Sequence, residues 1–131
     1  MKKHEVPKLQ KFLRKAFGNP HITVTEDPKK KDCAEVHLGE RRIASIIVDD
    51  EDGDRSFSMD LKIPVDRAAI QSYLRLLFEN DALKVVARGK KVDSVELNNG
   101  DEFLGIVSAD DAKLKSFTFQ MAILDLDLEE V

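Results

Sequence analysis

At 131 residues the chain fits one ordinary domain or two very small ones, and 42% hydrophobic with 35% charged residues is a globular composition. A formal net charge of −4 speaks against a dedicated nucleic-acid binder, which usually carries a basic excess. The single cysteine, Cys33, excludes an internal disulfide and a cysteine-based zinc site, and no run reaches the roughly 20 apolar residues of a bilayer span.

The opening segment, MKKHEVPKLQ, has no apolar stretch of signal-peptide length, so a cytoplasmic protein is expected. A first helix is predicted from near Pro7 to Gly18. Leu9, Phe12, Leu13, Ala16 and Phe17 fall at the i, i+3, i+4, i+7, i+8 steps of one helical face. Pro is tolerated in a first turn, and Gly18 can take the left-handed cap conformation. Ile22–Thr25 reads as a strand with Ile22 and Val24 inward. Ala34–Leu38 reads as a second, with Ala34, Val36 and Leu38 on one face. The third, Ile43–Val48, is apolar on both faces, which predicts a cover on each side: the helix on one, a second copy of the unit on the other. Phe57, Met59, Leu61 and Ile63 alternate along a fourth strand.

From Pro64 the series repeats. A second helix, capped by Asp66 and ending near Asn80, carries Ile70, Tyr73, Leu74, Leu77 and Phe78 on one face. Leu9 and Ile70 stand 61 positions apart, and the same step relates Gln10 and Arg14 to Gln71 and Arg75. Leu83–Ala87, the Val95 and Leu97 stretch, Phe103–Val107 and Phe117–Ile123 echo the four strands. We align Ile46 with Ile106 and Phe57 with Phe117, an offset of 60 from the third strand onward. So many matches in one order mark a duplication. Gly39-Glu40, Asn99-Gly100 and Asp52-Gly53 are short-turn signals, so the strands should form antiparallel meanders. After Ile123 the alternation Leu124, Leu126, Leu128 is shifted by one, which predicts a bulge or bend near Ala122–Leu124 and a strand extension beyond it.

The expected fold is α+β: two αββββ repeats, each a helix plus a four-stranded antiparallel meander, related by a pseudo-twofold and sharing one core. Residues 1–63 hold the first repeat, and 64–131 the second with its C-terminal strand extension. A unit of about 60 residues buries only about 60% of its extended-chain surface and is marginal alone, so the two should form one cooperative unit. Their charges differ: 13 Lys/Arg against 12 Asp/Glu in the first, 8 against 13 in the second, so +1 and −5.

Certain words in this framework, FGNPHITV at 17–24, PKKKDCAEV at 28–36, DDEDGDRSF at 49–57, GDEFLGIV at 100–107 and SFTFQMAILDLDLEE at 116–130, are specific. In them the chain resembles the small alphaproteobacterial family known as domain of unknown function 3126. Members carry these words once; here two diverged copies share them, copy one keeping the acidic turn and copy two the closing FQMAILDLDL. The resemblance implies a bacterial cytosolic protein, with single-copy relatives pairing as homodimers. It implies no activity and no site.

Candidate chemistry is sparse. The acidic run Asp49–Asp54 fails the calcium-loop pattern, because with Gly53 sixth the first and twelfth positions are Val48 and Met59; a solvated hairpin turn is expected. Cys33, Glu35 and His37 share one strand face and could bind a metal or support thiol chemistry, but the second copy lacks the row. No phosphate loop, nucleophile elbow or paired-histidine motif occurs, so no catalytic residues, cofactor or metal are assigned and an enzyme is not expected. The expected function is a non-catalytic protein–protein interaction or regulatory module. Its partner is an unidentified protein, self-association included, and Leu124, Leu126 and Leu128 would be the partner-pairing strand. The alternative is accessory nucleic-acid binding through Lys8, Lys11 and Lys15 on helix 1. No membrane association is expected.

Overall fold

The computed structural model of the chain describes residues 1–50 and 53–131. Helix α1 (Glu5–Phe17) is followed by strands β1 (Ile22–Glu26), β2 (Cys33–Leu38), β3 (Arg41–Asp49) and β4 (Ser56–Ile63). A 3-10 turn (Arg67–Ala69) leads into α2 (Ile70–Phe78), then β5 (Leu83–Ala87), β6 (Ser94–Asn99), β7 (Glu102–Ala109), β8 (Phe117–Leu124) and a short α3 (Asp125–Glu129). Two αββββ repeats are therefore present, as the repeated pattern requires.

The helices form where their apolar faces meet the sheet. Leu9, Leu13, Ala16 and Phe17 of α1 are buried, and so are Ile70, Leu74 and Phe78 of α2. Helix α1 starts two residues before Pro7, and Gly18 closes it at φ 62°. The 3-10 turn before α2 is capped by the Asp66 carboxylate, which accepts from the Ala69 amide at 3.2 Å. The recurring polar pairs tie each helix to its edge strand. Gln10 accepts from the Val24 amide and Gln71 from the Val85 amide, each at 3.0 Å. Arg14 donates to the Ile22 carbonyl and Arg75 to that of Leu83, each at 2.7 Å. These bonds occupy outer backbone groups of β1 and β5 that an exposed sheet edge would otherwise leave open.

All strands pair antiparallel in one eight-stranded sheet, ordered β1-β2-β3-β4-β8-β7-β6-β5. The repeats join along β4 and β8. Phe57 faces Ile123 there, and the corresponding Phe117 faces Ile63; the pair that maps onto itself is Asp60–Gln120. The pseudo-twofold thus passes through Asp60 and Gln120. Both helices lie on one side, where the Phe17 and Phe78 rings stack with centroids 4.2 Å apart and Phe119 meets Phe17 edge-on. The buried apolar residues of both repeats form one continuous cluster. No helix among the described residues is long and apolar enough to cross a membrane.

Three expectations need correction. The second repeat does not cover the other face of the third strand. It extends the sheet edge to edge, and that face is open, with Ile47 48% and Phe103 54% exposed. The two-sided apolarity has a local cause: register shifts at Val36/His37 and Leu97/Asn98 break the alternation, so that Leu104 and Gly105 are both buried in β7. The 61-residue offset also persists through this strand. Val36 pairs with Ala44 as Leu97 pairs with Gly105, so Ile46 corresponds to Val107 and Ile106 to Ser45. The step to 60 falls in the connection to the fourth strand. Finally, Leu124–Leu128 is not a strand extension. β8 keeps its pairing through Leu124, opposite Ser56, and the chain then turns into α3, where the Leu124 amide donates to the Asp127 carboxylate at 2.9 Å. The phase shift in the sequence marks a strand passing into a helical turn.

Candidate functional site

Two troughs lie at pseudo-equivalent positions, the first on the open face of the sheet and the second between β7 and β8, reaching through to α1 and α3. Both arise where the bulged strand peels from its neighbour. In the first repeat Arg42, Ile43, Ala44 and Ser45 of β3 stand across from Asp60 and Lys62 of β4. In the second, the matching positions are Phe103, Leu104, Gly105 and Ile106 of β7, with Gln120 and Ala122 of β8. One ancestral feature has been lined in two different ways.

The first trough is lined by charges that find partners within the chain. Arg42 Nε lies 3.8 Å from the Glu35 carboxylate, and Lys62 Nζ lies 3.5 Å from that of Asp110 and 2.8 Å from the Thr118 hydroxyl. The Thr118 hydrogen bond outweighs burial and holds the Asp110 carboxyl below its ordinary range. Asp60 Oδ1, buried at the centre, has no hydrogen-bond partner among the described residues.

The second trough is somewhat larger, about 570 Å³ against about 450 Å³. The β7–β8 ladder stops at Ile106–Gln120, whereas β3–β4 continues to Ala44–Leu61. Gly105 is the reason the backbones can sit as they do, since a Cβ there would run into the Gln120 carbonyl oxygen and the Phe119 ring. The walls are apolar: Phe12 from α1, Phe103, Leu104 and Met121. A side chamber of about 140 Å³ extends between α1 and α3 past Lys15, Ala16 and Glu130. Glu102, Asp127 and Glu130 rim this space against one base, Lys15. Neither Glu102 nor Glu130 makes an ion pair among the described residues. The trough is open along its length, a shape suited to a polypeptide segment more than to an enclosed small molecule.

The residues singled out from the sequence fall elsewhere or are reassigned. Leu128 is a core residue at 2% exposure, while Leu126 is 62% exposed on α3 and Leu124 ends a paired strand, so the three do not line one edge. Lys11 and Lys15 are exposed on α1 and Lys8 partly so, none of them in an ion pair among the described residues. Cys33, Glu35 and His37 do share the open face of β2, with His37 Nε2 at 3.4 Å from Glu35. Among the described residues no group of three His, Cys, Asp or Glu side chains could hold a metal ion. Glu51 and Asp52 of the acidic run lie outside the described residues. The trough itself had a signal in the sequence, the unbroken Phe103-Leu-Gly-Ile-Val107. Such a run suggests two-sided burial, but part of it is an exposed apolar wall, with Phe103 54% exposed.

A family model described as a protein of unknown function (DUF3126) matches residues 5–66 and again residues 66–127. No curated protein matches the chain, and no solved structure does.

Proposed function

The chain belongs to the DUF3126 family in two tandem copies, and from that premise we propose that it is a non-catalytic protein-interaction module. Its docking site is the trough between β7 and β8, and its occupant is a basic polypeptide segment bearing an exposed apolar side chain. The carrying observation is the divergence of the two troughs. The first repeat lines its trough with Arg42 and Lys62, each beside a carboxylate partner of its own. The second places an exposed Phe103 and a small Ala122 at the same positions, and among the described residues Glu102 and Glu130 on its rim make no ion pair. An apolar floor beneath unneutralised carboxylates favours a segment that supplies both a greasy side chain and positive charge.

The test uses a fluorescein-labelled decapeptide of alternating leucine and arginine, titrated with protein and followed by anisotropy. Binding that weakens with salt and is lost in Phe103→Asp, but kept in Arg42→Ala, supports the reading. Equal binding to wild type and Phe103→Asp removes it. The lysine row Lys8, Lys11 and Lys15 supports a weaker second reading as a nucleic-acid face, because it projects from α1 and makes no ion pair among the described residues. Absence of gel shifts with RNA and DNA at low salt would eliminate that reading.

A further inference from the structure

Resting on the docking site just described, we infer that its occupant is a second copy of this chain, whose loop between β5 and β6 enters the trough. The chain itself carries one segment of the required chemistry. Arg88-Gly-Lys-Lys-Val92 holds three bases, and Val92 at its end is 61% exposed. The loop is held in shape from below. Arg67 donates to the Lys91 carbonyl at 2.9 Å, Arg88 donates to the Ser94 hydroxyl at 3.2 Å, and Gly89 supplies a left-handed turn at φ 61°. Neither Lys90 nor Lys91 makes an ion pair among the described residues. A basic, apolar, pre-shaped loop and an acidic, apolar trough are therefore each without a counterpart among the described residues.

They also lie at opposite ends of the same strands. Val95, just after the loop, pairs with Val107, while Asn99 at the other end of β6 pairs with Glu102 beside the trough. A twofold axis running across the strands exchanges the two ends. Two copies so related, with each trough mouth turned toward the other's loop, form a closed, isologous dimer with no free ends. The corresponding loop of the first repeat ends in Lys31 where this one has Val92, so the apolar tip is particular to the second repeat.

Sedimentation equilibrium from low-micromolar to near-millimolar protein tests this. A reversible dimer that weakens with salt is expected. Val92→Asp and Phe103→Asp should each abolish it. Lys91→Glu and Glu102→Lys should each raise the dissociation constant about tenfold, and mixing these two variants should restore association, because every contact in the mixed dimer then joins opposite charges. All four positions are exposed, and thermal melts matching wild type establish that the variants are folded. A chain that stays monomeric throughout overturns the inference. So does a dimer indifferent to Val92→Asp and Phe103→Asp, which would use another face. If the leucine–arginine peptide still binds a monomeric chain, the docking site stands and only the second copy falls; if neither binds, both fall.

Discussion

Asn19 and Asn80 each hold the end of the other repeat's helix. Asn19 Nδ2 donates to the Phe78 carbonyl at 2.8 Å, and Asn80 Nδ2 donates to the Phe17 carbonyl at 2.9 Å. Their side-chain oxygens do matching local work, accepting from the amides of His21 and Ala82 at 2.8 and 2.9 Å. Each asparagine thus shapes its own turn and satisfies a helix-end carbonyl across the pseudo-axis, beside the stacked Phe17 and Phe78 rings. Replacing either by alanine leaves a carbonyl unpaired where water has little access. A loss of about 1–3 kcal/mol per site is expected, larger for the more buried Asn19, and urea denaturation measures it. A double-mutant cycle should show coupling, since both bonds close the same helix–helix contact.

These residues also show how much could be read in advance. Asn19 and Asn80 stood in the repeat as a matched pair, but nothing in a linear pattern says that each serves the other copy. The helix faces, the strand alternations and the two-copy organisation were legible because each is a local period enforced by burial on one side. The open face of the sheet was not. Two-sided apolarity in the third strand can come from two covers, or from a bulge that turns consecutive residues inward, and the residue types are the same either way. The tail failed for a related reason: Leu124, Leu126 and Leu128 alternate as a strand would, yet one turn of helix buries Leu128 alone. The trough escaped because it depends on the absence of a Cβ at Gly105, whose meaning appears only beside Gln120.

Separating the repeats should expose what joins them. Residues 1–63 alone would bare β4, with Phe57, Met59, Leu61 and Ile63, all buried in the intact chain. The natural remedy is self-pairing along β4 in the register that β8 now supplies. That register sets Asp60 against Asp60, two carboxylates at the axis, where the whole chain has Asp60 against Gln120. Residues 64–131 would instead set Gln120 against Gln120. The second half is therefore expected to form the more stable homodimer, and Asp60→Asn should strengthen the first. Equilibrium sedimentation and thermal melts of the two halves check this. A first half that is folded, monomeric and as heat-resistant as the intact chain would overturn it.

Gly105 offers a direct probe of the split between β7 and β8. Its counterpart Ala44 carries a Cβ without difficulty, but in the second repeat that atom would collide with the Gln120 carbonyl and the Phe119 ring. The obstacle includes backbone, which cannot rotate away. Gly105→Ala should cost at least about 2 kcal/mol, in the upper range for an overpacked site, while Ala44→Gly should cost no more than about 1 kcal/mol. Denaturation midpoints of the two variants settle the contrast. Equal effects would mean that the two troughs differ only in their side chains.

The acid sensitivity of the fold should centre on Glu5. Its carboxylate is buried at the start of α1 and receives two hydrogen bonds from Arg55, at 2.6 and 2.8 Å, plus one from the Lys2 amide at 2.8 Å. Burial opposes its charge, but the Arg55 hydrogen bond, the Lys2 amide and the Arg55 charge together outweigh it and hold the carboxyl below its ordinary 4.5. A carboxyl whose folded value is depressed contributes stability that is complete above its unfolded value. That contribution is lost as pH falls through the folded one. Wild type should therefore be steady from neutral pH to about 5.5 and lose stability below about 4.5, whereas Glu5→Gln should be weaker at neutral pH and flatter through that window. Arg55→Ala leaves the carboxylate buried without its base and should cost about 2–4 kcal/mol at neutral pH, discounted from a fully buried pair because Arg55 is partly exposed. Its remaining stability should rise, relative to wild type, as acid neutralises Glu5. Urea midpoints at a series of pH values give both slopes. A wild type and Glu5→Gln pair falling in parallel would show that another carboxylate governs the acid limb.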